Sequence, residues 1–218
     1  MAKARELFAA KDLTQGPPWK RILEFSIPML IGNIAQQLYN TADSIIVGRY
    51  IGDNALAAVG SAAPVLHLLL VLFVGISVGA GIMVAQYFGA RDRENLSKTI
   101  GNCLALTAIT SVIIMVVGPL VTRPLLELLN TPASIIDWCV GYLNIFFLGG
   151  AGFSYFNILS GILRGLGDSV SALVFLLLST ALNVVLDIIF VASFGLGVPG
   201  VALATVLAQA LSAVLCLG

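Results

Sequence analysis

The sequence predicts an all-α membrane protein built as a bundle of six transmembrane helices, and three observations lead there. Of its 218 residues 59% are hydrophobic and only 10% charged, against roughly 25% charged in an average soluble domain. Six stretches, at about 22–48, 58–86, 97–121, 135–160, 169–193 and 200–218, meet or nearly meet the roughly 20 apolar residues that a helix needs to cross a hydrocarbon core. Basic residues also collect on one side of these spans. Backbone groups in lipid must be satisfied internally, which leaves helices or closed barrels, and runs this long exclude the alternating strands of a barrel.

The elements follow in order. Residues 1–19 form a charged arm, MAKARELFAAKDLTQGPP up to Trp19, without the apolar core of a cleavable signal peptide. Gly16, Pro17 and Pro18 end it, and residues 20–218 form one transmembrane lobe. Polar breaks separate the spans: RYIGDN, FGARDRENLS, RPLLELLNTPAS, RGLGDS and FGLGVPG. RPLLELL is expected to lie flat as an interfacial turn. Lys3, Arg5, Lys11, Lys20, Arg21, Arg91, Arg93, Lys98 and Arg164 fall on one side, and Arg49 and Arg123 on the other. The positive-inside rule therefore puts both termini in the cytoplasm, with Trp19 and Trp138 as interface anchors. The sixth span stops at Leu217 and Gly218 without a basic or aromatic anchor, which suggests a fragment. An even number of crossings would bring a following copy in with the same orientation, as in transporters with parallel repeats.

Composition and motifs also exclude function classes. Eleven basic and eleven acidic residues balance to zero net charge, so nothing points to nucleic acid. Cys103, Cys139 and Cys216 are widely spaced in apolar runs, without the pairing expected of a disulfide framework or a zinc site, and read as small packing residues. GLGVPG at Gly195 to Gly200 spells a dinucleotide-binding turn but follows a membrane-length helix rather than a strand, with no acidic residue after it. GLGD at Gly165 to Asp168 has the spelling found in intramembrane aspartyl proteases, yet places its Asp in a loop. His67 is expected as a packed or hydrogen-bonded neutral imidazole. Gly75 and Gly79 spell GxxxG, followed by Gly81, and are expected to allow close helix packing.

The chemistry lies in polar residues that the apolar runs do not need. An Asp at the centre of a membrane helix costs about 2.5 to 3.5 kcal/mol on insertion scales and normally faces a cavity or a partner. At a rise of about 1.5 Å per residue, Asp43 lies roughly 9 Å below Arg49, Asp187 roughly 12 Å below Gly195, and Thr205 roughly 9 Å from Pro199. Three helices thus place polar groups in one layer of the outer half. Tyr39 and Asn183 sit one turn deeper on the same faces, as does Gln209 below Thr205. Asn33, Gln36, Gln37, Asn40, Asp43 and Ser44 give the first helix one wet face. Two carboxylates, an amide oxygen and hydroxyls offer hard oxygen ligands for Na⁺ at Asp43, Asn183, Asp187 and Thr205, or a poorly solvated place to hold protons. Pro28, inside the first helix, removes a backbone hydrogen bond where a bend or hinge is then expected.

Several separate motifs carry a family resemblance from about Pro18 onward: SIPMLIGNIAQQLYNTADSIIVGRYIGDNALAAVG, VGAGIMVAQYFGARDRE, ILRGLGDS, and LNVVLDIIF followed by LGVPGVALATVLAQ. In these the chain resembles the multidrug and toxic compound extrusion (MATE) family, and specifically the amino-terminal six-helix lobe of its prokaryotic DinF-like branch. The resemblance implies an antiporter in the plasma membrane of a prokaryote, expelling small organic, often cationic, substrates in exchange for H⁺ or Na⁺, with no further cofactor and no enzymatic activity. It also implies a cation site at Tyr39, Asp43, Asn183, Asp187 and Thr205, and a bending role for Pro28. Gln36, Asn40 and Gln209 would line the cavity. Family members carry a second lobe, so the expectation is either a missing carboxyl-terminal lobe or pairing of two copies. The alternatives are a lipid-linked substrate flippase of the same superfamily, disfavoured by a membrane interior without Lys or Arg, and a non-transporting assembly module.

Overall fold

The computed structural model describes residues 16–217, and among these every regular element is helical. The proposed arm lies, through residue 15, outside the described residues, as does Gly218. Helix α1 spans Pro18–Tyr50, and Pro at its first position supplies the fixed φ that a helix start requires. It ends where Gly52 takes φ 110°, a conformation open to glycine, and α2 (Asp53–Gly89) begins at once. Helix α3 (Arg93–Leu128) starts at Asp92, whose carboxylate accepts from Asn95 N at 3.1 Å, while Asn95 Nδ2 donates back at 2.6 Å. RPLLELL is therefore not a separate interfacial turn: the backbone tolerates Pro119 and Pro124 and runs helically through to Leu128.

The span predicted at 135–160 is two helices, α4 (Ile136–Leu148) and α5 (Gly150–Gly165), meeting at 54°. A non-local contact explains the break. A Cβ at Gly149 would sit 2.1 Å from Val206 Cγ1, and one at Gly152 would sit 2.6 Å from Ala210 Cβ, so the two glycines let the chain press against the last helix. Helix α6 (Ser169–Asp187) is capped by Asp168, which accepts from Ser171 N at 2.9 Å. It passes directly into a π-helical turn, Ile188–Ser193, and α7 follows at Gly197–Cys216. The Asp of GLGD is thus a helix cap.

By length and composition α2, α3, α6 with its π-turn, and α7 suffice to cross a membrane, and the bent α4–α5 pair makes a fifth span. Helix α1 has 33 residues, about 50 Å at the helical rise, but its polar stripe leaves it less apolar than the others. The helices pack as one bundle, with α2 against α5, α6 against α7 and α1, and α7 against α5 and α4. One apolar cluster, including Val47, Ala58, Leu126, Leu143 and Val201, fills the end near the α1–α2 turn. A second, with Val84, Phe156, Ile158 and Ile162, fills the opposite end. Outward-facing residues such as Leu106, Ile109, Val112, Val116 and Leu120 on α3 are exposed, as expected when lipid is the solvent.

Close packing of α2 on α5 uses Gly81, one of the three glycines expected to allow it, but not the GxxxG pair. Gly75 and Gly79 face open space, whereas Ser77 and Gly81 abut Gly161 and Gly165. Ser77 Oγ donates to Asn157 O at 2.6 Å across this seam. His67 is exposed on α2 rather than packed. Of the cysteines, Cys139 is buried with its thiol donating to Ala58 O at 3.3 Å, and Cys103 and Cys216 are half-buried, all three unpaired.

A buried carboxylate pair as the candidate functional site

The i, i+4 spacing of Asn183 and Asp187 on α6 turns both toward the interior, where they are 2% and 0% exposed. The same spacing on α1 places Tyr39 and Asp43 against them, both half-buried, and α7 supplies Thr205. Tyr39 Oη lies 3.0 Å from Thr205 Oγ1, Asn183 Nδ2 donates to that same oxygen at 3.1 Å, and Thr205 Oγ1 lies 3.1 Å from its own Val201 O. A hydroxyl has one proton and two lone pairs. Since the Thr205 proton goes to Val201, both lone pairs accept, and Tyr39 is the donor. Thr205 is therefore a saturated junction that ties α1, α6 and α7 together.

The acidic partners are not satisfied in this way. Asp43 lies close enough to Asp187 and to Tyr39 for the three to interact electrostatically. Asp43 Oδ1, both oxygens of Asp187 and Asn183 Oδ1 are buried without a protein donor. Buried acceptors are ordinarily paired, so four unpartnered acceptors in one place leave room for a donor that the protein itself does not supply. No cluster of three or more His, Cys, Asp or Glu side chains occurs among the described residues; the donor set is two carboxylates with neutral oxygens around them.

A cavity of about 10 Å³ lies at the Thr205 junction, lined by Gln36, Tyr39, Ser179, Asn183, Thr205 and Gln209 among others, enough for about one water-sized particle. Gln209 Oε1 is also unpartnered. A larger cavity of about 90 Å³ lies between α1, α5 and α6, with Pro28 and Gln36 in its wall. Asn40 is on the exposed face of α1, where its Nδ2 donates to Gln37 Oε1 at 3.1 Å. Two features escape a reading of the sequence. Tyr142 of α4, 6% exposed, lies within electrostatic range of Tyr39, Asp43 and Asp187; a lone phenol in the apolar run CVGYLNIFF is the available signal. The π-turn directly after Asp187 has none, although such turns often mark functional positions.

A helical membrane bundle that buries facing acidic side chains between separate spans has the design of a membrane transporter. Comparison with known proteins gives the family. The MatE model matches residues 28–189, and the chain belongs to that family of multidrug transporters. It is 30% identical over 211 residues to the probable multidrug resistance protein YoeA of Bacillus subtilis, covering 95% of this chain and 46% of that protein. It is 27% identical over 203 residues to the multidrug export protein MepA of Staphylococcus aureus, covering 91% and 44%. Among solved structures, a MOP superfamily transporter from Pyrococcus furiosus superposes with a TM-score of 0.88 at 34% identity, over 94% of this chain and 45% of that one. The chain thus spans about half the length of the relatives it matches.

Proposed function

We propose that the chain is the amino-terminal lobe of a cation-coupled multidrug efflux antiporter and carries the coupling-ion site. The observation that supports this best is the set of buried, unpaired oxygens of Asp43, Asn183 and Asp187 on the packed helices α1 and α6. Two unit charges about 4 Å apart repel by about 4 kcal/mol at an effective dielectric constant of about 20. Capture of H⁺ or Na⁺ between the carboxylates removes that repulsion. Asp43, Asn183, Asp187 and Thr205 would hold Na⁺, and the two carboxylates alone would hold H⁺.

The moving part in this reading is α1. It carries Tyr39 and Asp43, packs mainly on α6, and contains Pro28 about four turns away from Asp43. Solved MATE relatives have been described in bent and straight conformations, and we assign the corresponding freedom here to Pro28. Ion entry that straightens or bends α1 would reshape its exposed polar face, including Gln37 and Asn40, and so change affinity for a small organic substrate held there. A second lobe or a second copy would complete the substrate cavity. The setting is the plasma membrane of a prokaryote, with both termini cytoplasmic. The test is drug efflux by the complete transporter carrying Asp43→Asn or Asp187→Asn: coupled efflux is lost while membrane insertion is retained. Undiminished efflux in both variants refutes the reading.

A further inference from the structure

The cavity of about 90 Å³ lies apart from the carboxylate pair, and its chemistry is of the opposite sign. Arg164, half-buried in the last turn of α5, lines it together with Ser160, Ser169 and Asn157. Its Nε donates to Ser160 O at 3.1 Å, but no carboxylate among the described residues forms an ion pair with it. Asp168, four residues on, uses an oxygen to cap α6 through Ser171 N. The Nη groups of Arg164 are thus left as a two-pronged donor. Beside them Ser160, 7% exposed, has a buried Oγ with no partner. Ser169, 6% exposed, opens the 19-residue helix α6 and adds a second buried hydroxyl to the wall. Met29, Phe156, Leu173 and Leu176 make part of the remaining wall apolar.

We infer that this cavity binds a phosphate-type oxyanion, held by the Arg164 guanidinium and the Ser160 hydroxyl at the start of α6. A planar guanidinium with two free edges suits bidentate contact to phosphate oxygens. The Ser160 proton gains the acceptor that the protein does not provide. The volume admits a tetrahedral anion, being several times the roughly 10–15 Å³ that a single water requires. The anion comes either from a phospholipid headgroup, whose glycerol and acyl portion would meet the apolar wall, or from free phosphate.

Equilibrium binding to the purified chain in a nonionic detergent distinguishes these sources, with inorganic phosphate and dihexanoyl phosphatidylglycerol as probes. Saturable binding of either probe, weakened at least tenfold by Arg164→Gln, at least threefold by Ser160→Ala and less by Arg164→Lys, is the expected result. Phosphatidylglycerol binding at least tenfold more tightly than phosphate assigns the site to a lipid headgroup; comparable affinities assign it to the free anion. Ser160→Ala leaves the fold intact because this hydroxyl has no protein partner, so it decides the matter if Arg164→Gln does not fold. Absence of binding by both probes, or wild-type affinity in the variants, overturns the inference.

Discussion

Replacing Thr205 by Val swaps a hydroxyl for a methyl of nearly equal size and removes the junction between α1, α6 and α7. Two donors lose their acceptor, Asn183 Nδ2 at 3.1 Å and Tyr39 Oη at 3.0 Å. Asn183 is 2% exposed, so its orphaned N–H carries the full penalty of about 1–3 kcal/mol for an unsatisfied buried group. Tyr39 is half-buried beside Asp43 and can redirect its proton there, so its share is small. The expected destabilisation is therefore about 1–3 kcal/mol, above the roughly 0.6 kcal/mol average for a side-chain hydrogen bond between membrane helices. Equilibrium unfolding of the purified chain in detergent, combined with Tyr39→Phe in a double-mutant cycle, separates the contributions. The Tyr39–Thr205 coupling should come near 0.6 kcal/mol, with most of the Thr205→Val effect persisting when Tyr39→Phe is already present. A Thr205→Val cost below about 0.5 kcal/mol, which is the range of a bland surface change, would show that Asn183 does not depend on this hydroxyl.

Other parts of the molecule supply three further tests. If Na⁺ binds at the carboxylate pair, its affinity should fall as pH falls, because protons compete for the same oxygens; radiolabelled Na⁺ binding that is flat across the carboxylate titration would contradict this. Gly161→Ala should destabilise the bundle by roughly 1–3 kcal/mol through overpacking, since the added Cβ would lie 2.3 Å from Ser77 Oγ and 2.6 Å from Ser77 O; an unfolding midpoint equal to wild type would show that α2 and α5 are less closely apposed. Asp92 is exposed in the turn before α3, and hydrogen bonds from the Asn95 side chain and backbone hold its carboxyl below its ordinary value of 3.8. Its cap therefore contributes fully above that ordinary value and is lost as pH drops through the lower folded one. An NMR carboxyl titration with a midpoint at or above 3.8 would contradict the capping geometry.

The polar side chains of the site are legible because an apolar run makes every Asp or Asn conspicuous and the helical rise fixes its depth. Asp43 and Asp187 need no more than that, and their i−4 neighbours Tyr39 and Asn183 follow from the period of the helix. Thr205 follows from its distance to Pro199. What local reasoning cannot supply is non-local contact. LGGAG around Gly149 reads as a soft spot in one continuous span, and only Val206, some sixty residues away, turns it into a 54° break. GxxxG with the following Gly81 gives a set of small residues but not the face that meets a neighbour: Gly81 makes the seam with Gly161, while Gly75 and Gly79 face open space. The π-turn at Ile188–Ser193 contains neither Gly nor Pro. Arg164 informs orientation alone at the level of sequence, since nothing local shows that its guanidinium lines a cavity.

The measurement closest to the central claim is a site-resolved titration of the Asp187 carboxyl, by NMR of the isotopically labelled chain in detergent, with and without Asp43→Asn. Carboxyl groups that lie against each other titrate as a unit, so removing Asp43 should change the Asp187 titration curve, and Na⁺ should perturb both resonances together in the unaltered chain. Superimposable Asp187 curves in the two proteins would mean that the carboxylates do not sense each other, and the shared ion site would be wrong.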